Sequence, residues 1–150
     1  VIPVPVPAVV NVAAAHGVGV DEVHFHEVGA VDSIADVVAA AVCLDDLDVT
    51  DVVVPVLCEG QGTVRCQHGV IPVPVPAVVN VAAAHGIPLR ILDVQGELVT
   101  PTGAALVAAV RTRSRLPERF VVERVGVGAG KRAYDTPGIL RALVVHEDTE

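Results

Sequence analysis

The segment from Glu22 to Asp36, EVHFHEVGAVDSIAD, brings two histidines and four acidic residues together in a short stretch of the chain. The sequence alternates around His24 and His26, so we expect a strand with both imidazoles on one face, because strand side chains repeat every two residues. Asp32 and Asp36 are four residues apart on a predicted helix, so both carboxylates lie on one side of it. Convergent imidazole nitrogens and carboxylate oxygens can bind a divalent cation.

The histidines and aspartates of this segment also fit purely structural roles. A bare His-x-His pair is compatible with two histidines that are hydrogen-bonded within a sheet. A helix-capping role explains Asp32 well and Asp36 poorly. As an alternative to direct metal binding, the two aspartates can orient the imidazoles. Glu27 faces the opposite side of an ideal strand, so it joins the cluster only if the strand ends there.

Cys66 and His68 have the same i, i+2 spacing. A thiolate beside an imidazole could bind a soft metal ion or act as a nucleophile. The alternative is a buried thiol followed by a histidine in a turn, which is the commoner case because free cysteine is often buried. Both residues are included among the candidate metal ligands.

A predicted helix start is surrounded by Glu97, Thr100, Thr102 and Gly103. Thr100 can cap this helix, with a proline at its first position. The exposed N–H groups and hydroxyls of such a helix start suit a phosphate or carboxylate. An ordinary capped helix explains the same residues equally well.

Lys131 and Arg132 follow the glycine-rich stretch GVGAG and are candidate anion contacts. The stretch follows a predicted strand but leads into Tyr-Asp-Thr-Pro instead of a helix. It therefore fails the dinucleotide-binding fingerprint, and a β-bulge or hairpin is the better interpretation.

The elements that position these residues predict an α/β or α+β fold with helices packed on a mixed sheet. Residues 23–57 are predicted to form a strand-helix-strand unit, with the helix at 32–47 and the second strand at 52–57. Beyond its first turn this helix is apolar on nearly all sides, so we expect it to be buried on two faces. Further predicted strands are 63–66, 89–94, 119–127 and 139–146, and a further predicted helix is 101–113.

Residues 1–17, VIPVPVPAVVNVAAAHG, recur without change at residues 70–86. In each copy, alternating prolines favour an extended path, and a proline and a glycine then mark the start and end of a short helix. We divide the chain into this duplicated segment at 1–17, a core domain at 18–147 and a tail at 148–150.

Composition narrows the classes of function. The chain has 150 residues, 52% of them hydrophobic, and a formal net charge of −8. This acidic charge and the 2% aromatic content argue against a nucleic-acid partner. Three prolines interrupt the uncharged first 20 residues, so a membrane span or signal peptide is not expected. The 3 cysteines match no disulfide framework or zinc-binding motif, which favours the cytoplasm.

Four motifs resemble the LarC family of nickel insertion proteins. They are HFHEVGAVDSIAD at 24–36, GQGTVRCQHG at 60–69 with the PVPVPA run that follows, GELVTPTGAA at 96–105, and VGVGAG followed by ILRALV. They occur in the family's order and spread over residues 18–147. Family members are longer, with an FSGISGDM-like opening segment and a further domain linked to nucleotide binding, and neither is visible in this sequence.

The resemblance implies a nickel chelatase of the lyase class, which inserts Ni(II) into pyridinium-3,5-bisthiocarboxylic acid mononucleotide. The product is the nickel-pincer cofactor of lactate racemase, which is a candidate partner. The resemblance also implies hydrolysis of CTP with a divalent metal ion, and a cytoplasmic homo-oligomer. The alternative functions are a metal-binding domain without catalysis and a structural or oligomerising domain.

With this resemblance, each candidate residue receives an expected role. The candidate nickel ligands are His24, His26, Asp32, Cys66 and His68. The candidate catalytic residues are Glu27 and Asp36. The candidate contacts for the nucleotide are Thr100, Thr102, Gly103, Lys131 and Arg132.

Overall fold

The computed structural model describes residues 19, 31–66, 69–134 and 136–148, without the side chains of residues 31–33. Within them the helices are α1 (Val31–Asp46), α2 (Pro76–His85) and α3 (Pro101–Val110). The strands are β1 (Leu57–Gln61), β2 (Thr63–Cys66), β3 (Gly69–Pro72), β4 (Leu89–Gln95), β5 (Phe120–Ala129) and β6 (Ile139–Glu147). None of these described helices has the length and apolar character needed to cross a membrane. The mixture of helices and strands confirms the α/β class.

The described strands form three two-stranded sheets, and not one mixed sheet. β1 and β4 run parallel. The pairs β2–β3 and β5–β6 are antiparallel. A parallel pair requires a long crossover connection, which β2, β3 and α2 supply between β1 and β4.

The core forms where α2 packs against α3. Pro76 stands in the first turn of α2, and Gly86 ends the helix in the left-handed conformation with a φ of 59°, as the sequence predicts. Full burial of a valine side chain contributes about 1.5–3 kcal/mol, so a few such residues hold this helix pair together. The buried residues of this core are Val75, Val78, Val81, Val99 and Ala104.

Helix α1 has nearly the predicted bounds but not the predicted burial. Ile34, Val38 and Val42 are 58%, 48% and 60% exposed. Val37 makes a contact, since it packs against Ala105 of α3. The prediction that α1 is buried on two faces is therefore wrong within the described residues. Sequence periodicity identifies an apolar face, but it does not show whether another element covers that face.

The strand predicted at 52–57 is wrong in its position. β1 begins only at Leu57, and in the preceding residues Val53 forms an isolated bridge with Arg113. Pro55 removes a backbone donor from the middle of this segment, which disfavours a sheet ladder. Backbone hydrogen bonds of 3.0 to 3.2 Å attach the segment to the residues that follow α3. The first strand of the predicted unit, which would start at residue 23, lies outside the described residues.

The glycine-rich stretch belongs to a long hairpin. Gly126 and Gly128 lie within β5, opposite Ala142 and Leu140 of β6. The ladder also contains a register shift of the β-bulge type between residues 122 and 124. The hairpin interpretation of this stretch is therefore confirmed.

Candidate functional site

The carboxyl ends of the parallel strands β1 and β4 define the candidate site. Ligands of α/β proteins bind beyond this edge of a parallel sheet, where a helix N-terminus often follows a strand. Residues 96–100, which we call the site loop, connect β4 to α3. On the other side, β1 continues through Gly62 into the β2–β3 hairpin.

Two glycines let β1 and the site loop touch. The backbone oxygens of Val94 and Gly96 lie so close to Gly60 that a methyl group at Gly60 would collide with both. Gly96 has a φ of 113°, in the left-handed region that favours glycine. Its N–H donates to the backbone oxygen of Gln61 at 2.9 Å. The loop is therefore fixed to the strand through its backbone.

Glu59 attaches the site loop to β1 through a side chain. It is fully buried, with 0% of its surface exposed. Its Oε1 accepts hydrogen bonds from the N–H groups of Gly60, Leu98 and Val99 at 2.8, 2.7 and 3.1 Å. Leu98 and Val99 come just before α3, where the positive end of the helix dipole favours a carboxylate. Glu59 thus satisfies two loop amides that would otherwise lack an acceptor.

The other carboxylate oxygen of Glu59, Oε2, has no hydrogen-bond partner among the described residues. Oε2 is buried. A buried acceptor without a donor costs about 1–3 kcal/mol, and more when it is charged. Such atoms are few in native proteins, and their explanations include strain, a catalytic role and a bound water or ion. Oε2 is therefore suited to receive a donor from outside the described residues.

Glu97 links the site loop to the segment after β5. The Glu97 side chain is 9% exposed, and its Oε2 accepts a hydrogen bond from Nη1 of Arg132 at 2.9 Å. This bond with Glu97 raises the pKa of Arg132 above its usual value, while partial burial acts in the opposite direction. The Tyr134 hydroxyl donates to the backbone oxygen of Glu97, and its ring lies against Gly96 and Gly138. The structure thereby brings Arg132, a predicted anion contact, to the site loop.

The start of α3 is a capped helix whose donors are largely engaged. Oγ1 of Thr100 accepts a hydrogen bond from the N–H of Gly103 at 3.1 Å. Pro101 has no N–H, and Glu59 binds the two loop amides just before the cap. This agrees with the ordinary capping interpretation. A phosphate at Thr100, Thr102 and Gly103 stays a prediction.

Most of the predicted nickel site lies outside the described residues, and so does the side chain of Asp32. Asp36 is exposed on α1, and Cys66 is half-buried at the end of β2. Over the described parts of the chain, no group of three or more His, Cys, Asp or Glu residues could hold a metal ion. The site residues in the undescribed parts are His24, His26, Glu27 and His68.

Sequence reasoning missed Glu59 and Tyr134. Glu59 is the single acidic residue in the apolar segment VPVLCEG, and it stands directly before a glycine. A carboxylate in a strand that is otherwise apolar is a signal that could have identified it, because buried charges require partners. Tyr134 is the only tyrosine of the chain. Lys131, which the sequence groups with Arg132, is exposed.

Comparison with known proteins gives the same family as the motifs. A family model described as nickel insertion protein matches residues 12–150. A pyridinium-3,5-bisthiocarboxylic acid mononucleotide nickel insertion protein of Alkaliphilus metalliredigens is 54% identical over 136 residues, which cover 91% of this chain and 32% of the relative. Proteins of the same name from Acetivibrio thermocellus and Clostridium acetobutylicum are each 42% identical, over 88% and 91% of this chain and 32% of each relative.

The chain thus spans about a third of the length of these curated relatives, 32% in each case. No solved structure matches it. The family model covers nearly the whole chain, and the match to the Alkaliphilus metalliredigens protein covers 91% of it. The chain belongs to the nickel insertion protein family.

Proposed function

We propose that this chain is part of an enzyme that inserts Ni(II) into pyridinium-3,5-bisthiocarboxylic acid mononucleotide. The observation that carries the proposal is the 54% identity over 136 residues to the Alkaliphilus metalliredigens protein of that name. Ni(II) is a substrate of this reaction and not a resident cofactor. Because the chain spans 32% of that relative, we assign it a part of the reaction site.

Nickel insertion needs ligands that hold the ion and a base that removes a proton from the pyridinium ring. Neutral imidazole and thiolate are suitable ligands for nickel. Either Glu27 or Asp36 is proposed as the base. The proposed ligands are His24, His26, Asp32, Cys66 and His68.

The reaction also needs contacts that orient the mononucleotide. Arg132 has five N–H donors and a side chain that is 56% exposed, so donors beyond the one bound to Glu97 can reach a phosphate. Lys131 is exposed beside it and adds a second positive charge. The hydroxyls and N–H groups at Thr100, Thr102 and Gly103 are proposed as further contacts.

Finer features of the activity follow from the resemblance of the motifs. We propose a lyase that consumes CTP with a divalent metal ion. We also propose a cytoplasmic homo-oligomer whose product serves lactate racemase. The described cysteines, Cys43, Cys58 and Cys66, are free, which is compatible with a reducing compartment.

A metal-binding domain without catalysis is the second candidate function. Residues 1–64 contain ten acidic residues and no Lys or Arg. Such a region attracts cations whether or not a nucleotide is bound. A domain of this kind would bind nickel and leave the mononucleotide unchanged.

Nickel titration of His24→Ala and His26→Ala variants tests the ligands. We expect the nickel Kd to rise by roughly tenfold or more in each variant, since loss of even an indirect metal contact has effects of that size. His85→Ala, on the exposed surface of α2, is the matched control and should bind nickel as the wild type does. Unchanged affinity in both variants would remove these histidines from the ligand set.

Addition of the mononucleotide to the nickel-loaded chain separates the two candidate functions. Insertion forms a nickel–carbon bond, so we expect a new absorbance band that depends on both substrates. Nickel binding without such a band would support the non-catalytic function and contradict the proposed reaction.

A further inference from the structure

The unpartnered oxygen of Glu59 has no part in the chemistry proposed for nickel insertion. The structural hydrogen bonds of Glu59 are all made by Oε1, which accepts from three backbone N–H groups. Oε2 is buried and receives no hydrogen bond from the residues that the structure describes. An isolated buried acceptor is unfavourable, so a complementary donor at this position would lower the free energy of the site.

The charges around Oε2 select the kind of donor. Two carboxylates lie at the site loop, Glu59 in β1 and Glu97 in the loop itself, and the guanidinium of Arg132 binds Glu97. This excess of negative charge disfavours a phosphate next to Oε2. A hydroxyl fits this position, because it donates a hydrogen bond without adding negative charge.

We propose that Oε2 of Glu59 accepts a hydrogen bond from a ribose hydroxyl of the nucleotide substrate. This inference rests on the proposed function, because the substrate of the relatives is named as a mononucleotide. Carboxylates bind ribose hydroxyls at the corresponding edge of dinucleotide-binding sheets. Arg132 and Glu59 contact the consecutive loop residues Glu97 and Leu98, so one nucleotide can reach Arg132 with its phosphate and Glu59 with its sugar.

Binding at Oε2 is coupled to the site loop. Oε2 is buried, so a hydroxyl reaches it only when the adjoining loop shifts. The same carboxylate holds the amides of Leu98 and Val99. Hydrogen exchange at these two amides should therefore change when the ligand binds, which gives a readout that is independent of nickel chemistry.

The first test changes the ligand and leaves the protein intact. The probes are nicotinamide mononucleotide, which is a pyridinium ribonucleotide, and its 2′,3′-dideoxy analogue. In calorimetric titrations of the full 150-residue chain, we expect the dideoxy analogue to bind roughly 10- to 100-fold more weakly. Equal affinity for the two probes, or no binding of either at millimolar concentration, would overturn the inference.

The second test changes only the oxygen in question. Glu59→Gln keeps a carbonyl oxygen for the three backbone donors and replaces Oε2 with an NH₂ group. We expect it to bind the ribonucleotide as weakly as the wild type binds the dideoxy analogue, with no further loss for that analogue. Glu118→Gln, on the exposed surface, should match the wild type. If Glu59→Gln does not fold, the affinities of the wild-type chain for the two probes still test the inference.

Failure of this inference is distinct from failure of the proposed function. If the chain prefers the ribonucleotide through Glu59 but forms no nickel–carbon bond, the inferred ribose contact is supported and the proposed reaction is contradicted. If the chain inserts nickel but binds both probes equally, only the inferred ribose contact is contradicted.

Discussion

Individual charged residues in this protein have two different environments. Glu59 is buried beside the site loop and Glu97 within it, and their carboxylates are stabilised by backbone amides and by Arg132, respectively. At the base of the hairpin, Arg113 and Glu147 form an ion pair of 3.0 Å with side chains that are 40% and 47% exposed. Exposed pairs contribute little to folding and are screened by salt, so the buried acids matter more for the shape of the site.

The ion pair between Arg113 and Glu147 predicts a dependence on pH. The hydrogen bond and charge of Arg113 lower the pKa of Glu147 below its usual 4.5. The pair therefore stabilises the fold above the unfolded pKa, and this contribution is lost as the pH falls through the folded pKa. Carboxyl NMR titration should show the pKa of Glu147 rising towards 4.5 in Arg113→Ala. Arg119→Ala, which removes the pairing partner of Asp148, is the control. A Glu147 pKa that does not change in Arg113→Ala would contradict the assignment.

Single residues differ in how far the sequence predicts their role. Arg132 could be identified as an anion contact because it follows a glycine-rich stretch, but its partner Glu97 is 35 residues away and depends on the tertiary fold. Glu59 was not identified, since its contacts with Leu98 and Val99 span 39 and 40 residues. Roles that depend on distant residues are not encoded in local spacing.

Helices and strands were predictable where local chemistry sets them. A proline start and a glycine end mark α2, and Thr100 caps α3, because these preferences act within one turn. The local sequence pattern predicted a strand incorrectly at residues 52–57, where Pro55 and the residues after α3 determine the structure. It also failed for the burial of α1, which depends on what covers that helix.

The contact between β1 and the site loop predicts unequal effects of alanine at two strand glycines. Gly60→Ala would place a methyl group against the backbone oxygens of Val94 and Gly96, so we expect a loss of roughly 1–3 kcal/mol in the free energy of unfolding. At Gly126, in β5, a methyl group would meet no atoms, so Gly126→Ala should change the free energy of unfolding by less than about 0.5 kcal/mol. Urea denaturation measures both. Equal effects of the two substitutions would show that this close approach does not constrain the site.

At the scale of the whole molecule, the described part of the chain leaves two apolar surfaces uncovered. One is the stripe on α1. The other, which we call the hairpin face, consists of Val125, Val127, Ile139 and Leu143, between 41% and 62% exposed. These residues share one side of the hairpin, because Val125 pairs with Leu143, Ile139 pairs with residue 129, and strand side chains alternate. Arg141, which pairs with Val127, lies on the same side, so these apolar side chains surround one charged residue. Exposed apolar side chains grouped in this way are a candidate interaction surface.

The hairpin face predicts self-association of the chain in solution. Val125→Thr combined with Val127→Thr keeps the β-branched shape that suits a strand and removes apolar surface. We expect a smaller sedimentation coefficient at equal concentration, because less apolar area is available for burial between copies. The free energy of unfolding should change by less than about 0.5 kcal/mol per exposed site. Leu140→Thr is the control, because Leu140 is 77% exposed but lies on the opposite side of the hairpin. If the double variant sediments like the wild type while Leu140→Thr does not, association uses the other side of the hairpin, and the proposed homo-oligomer forms through a different surface.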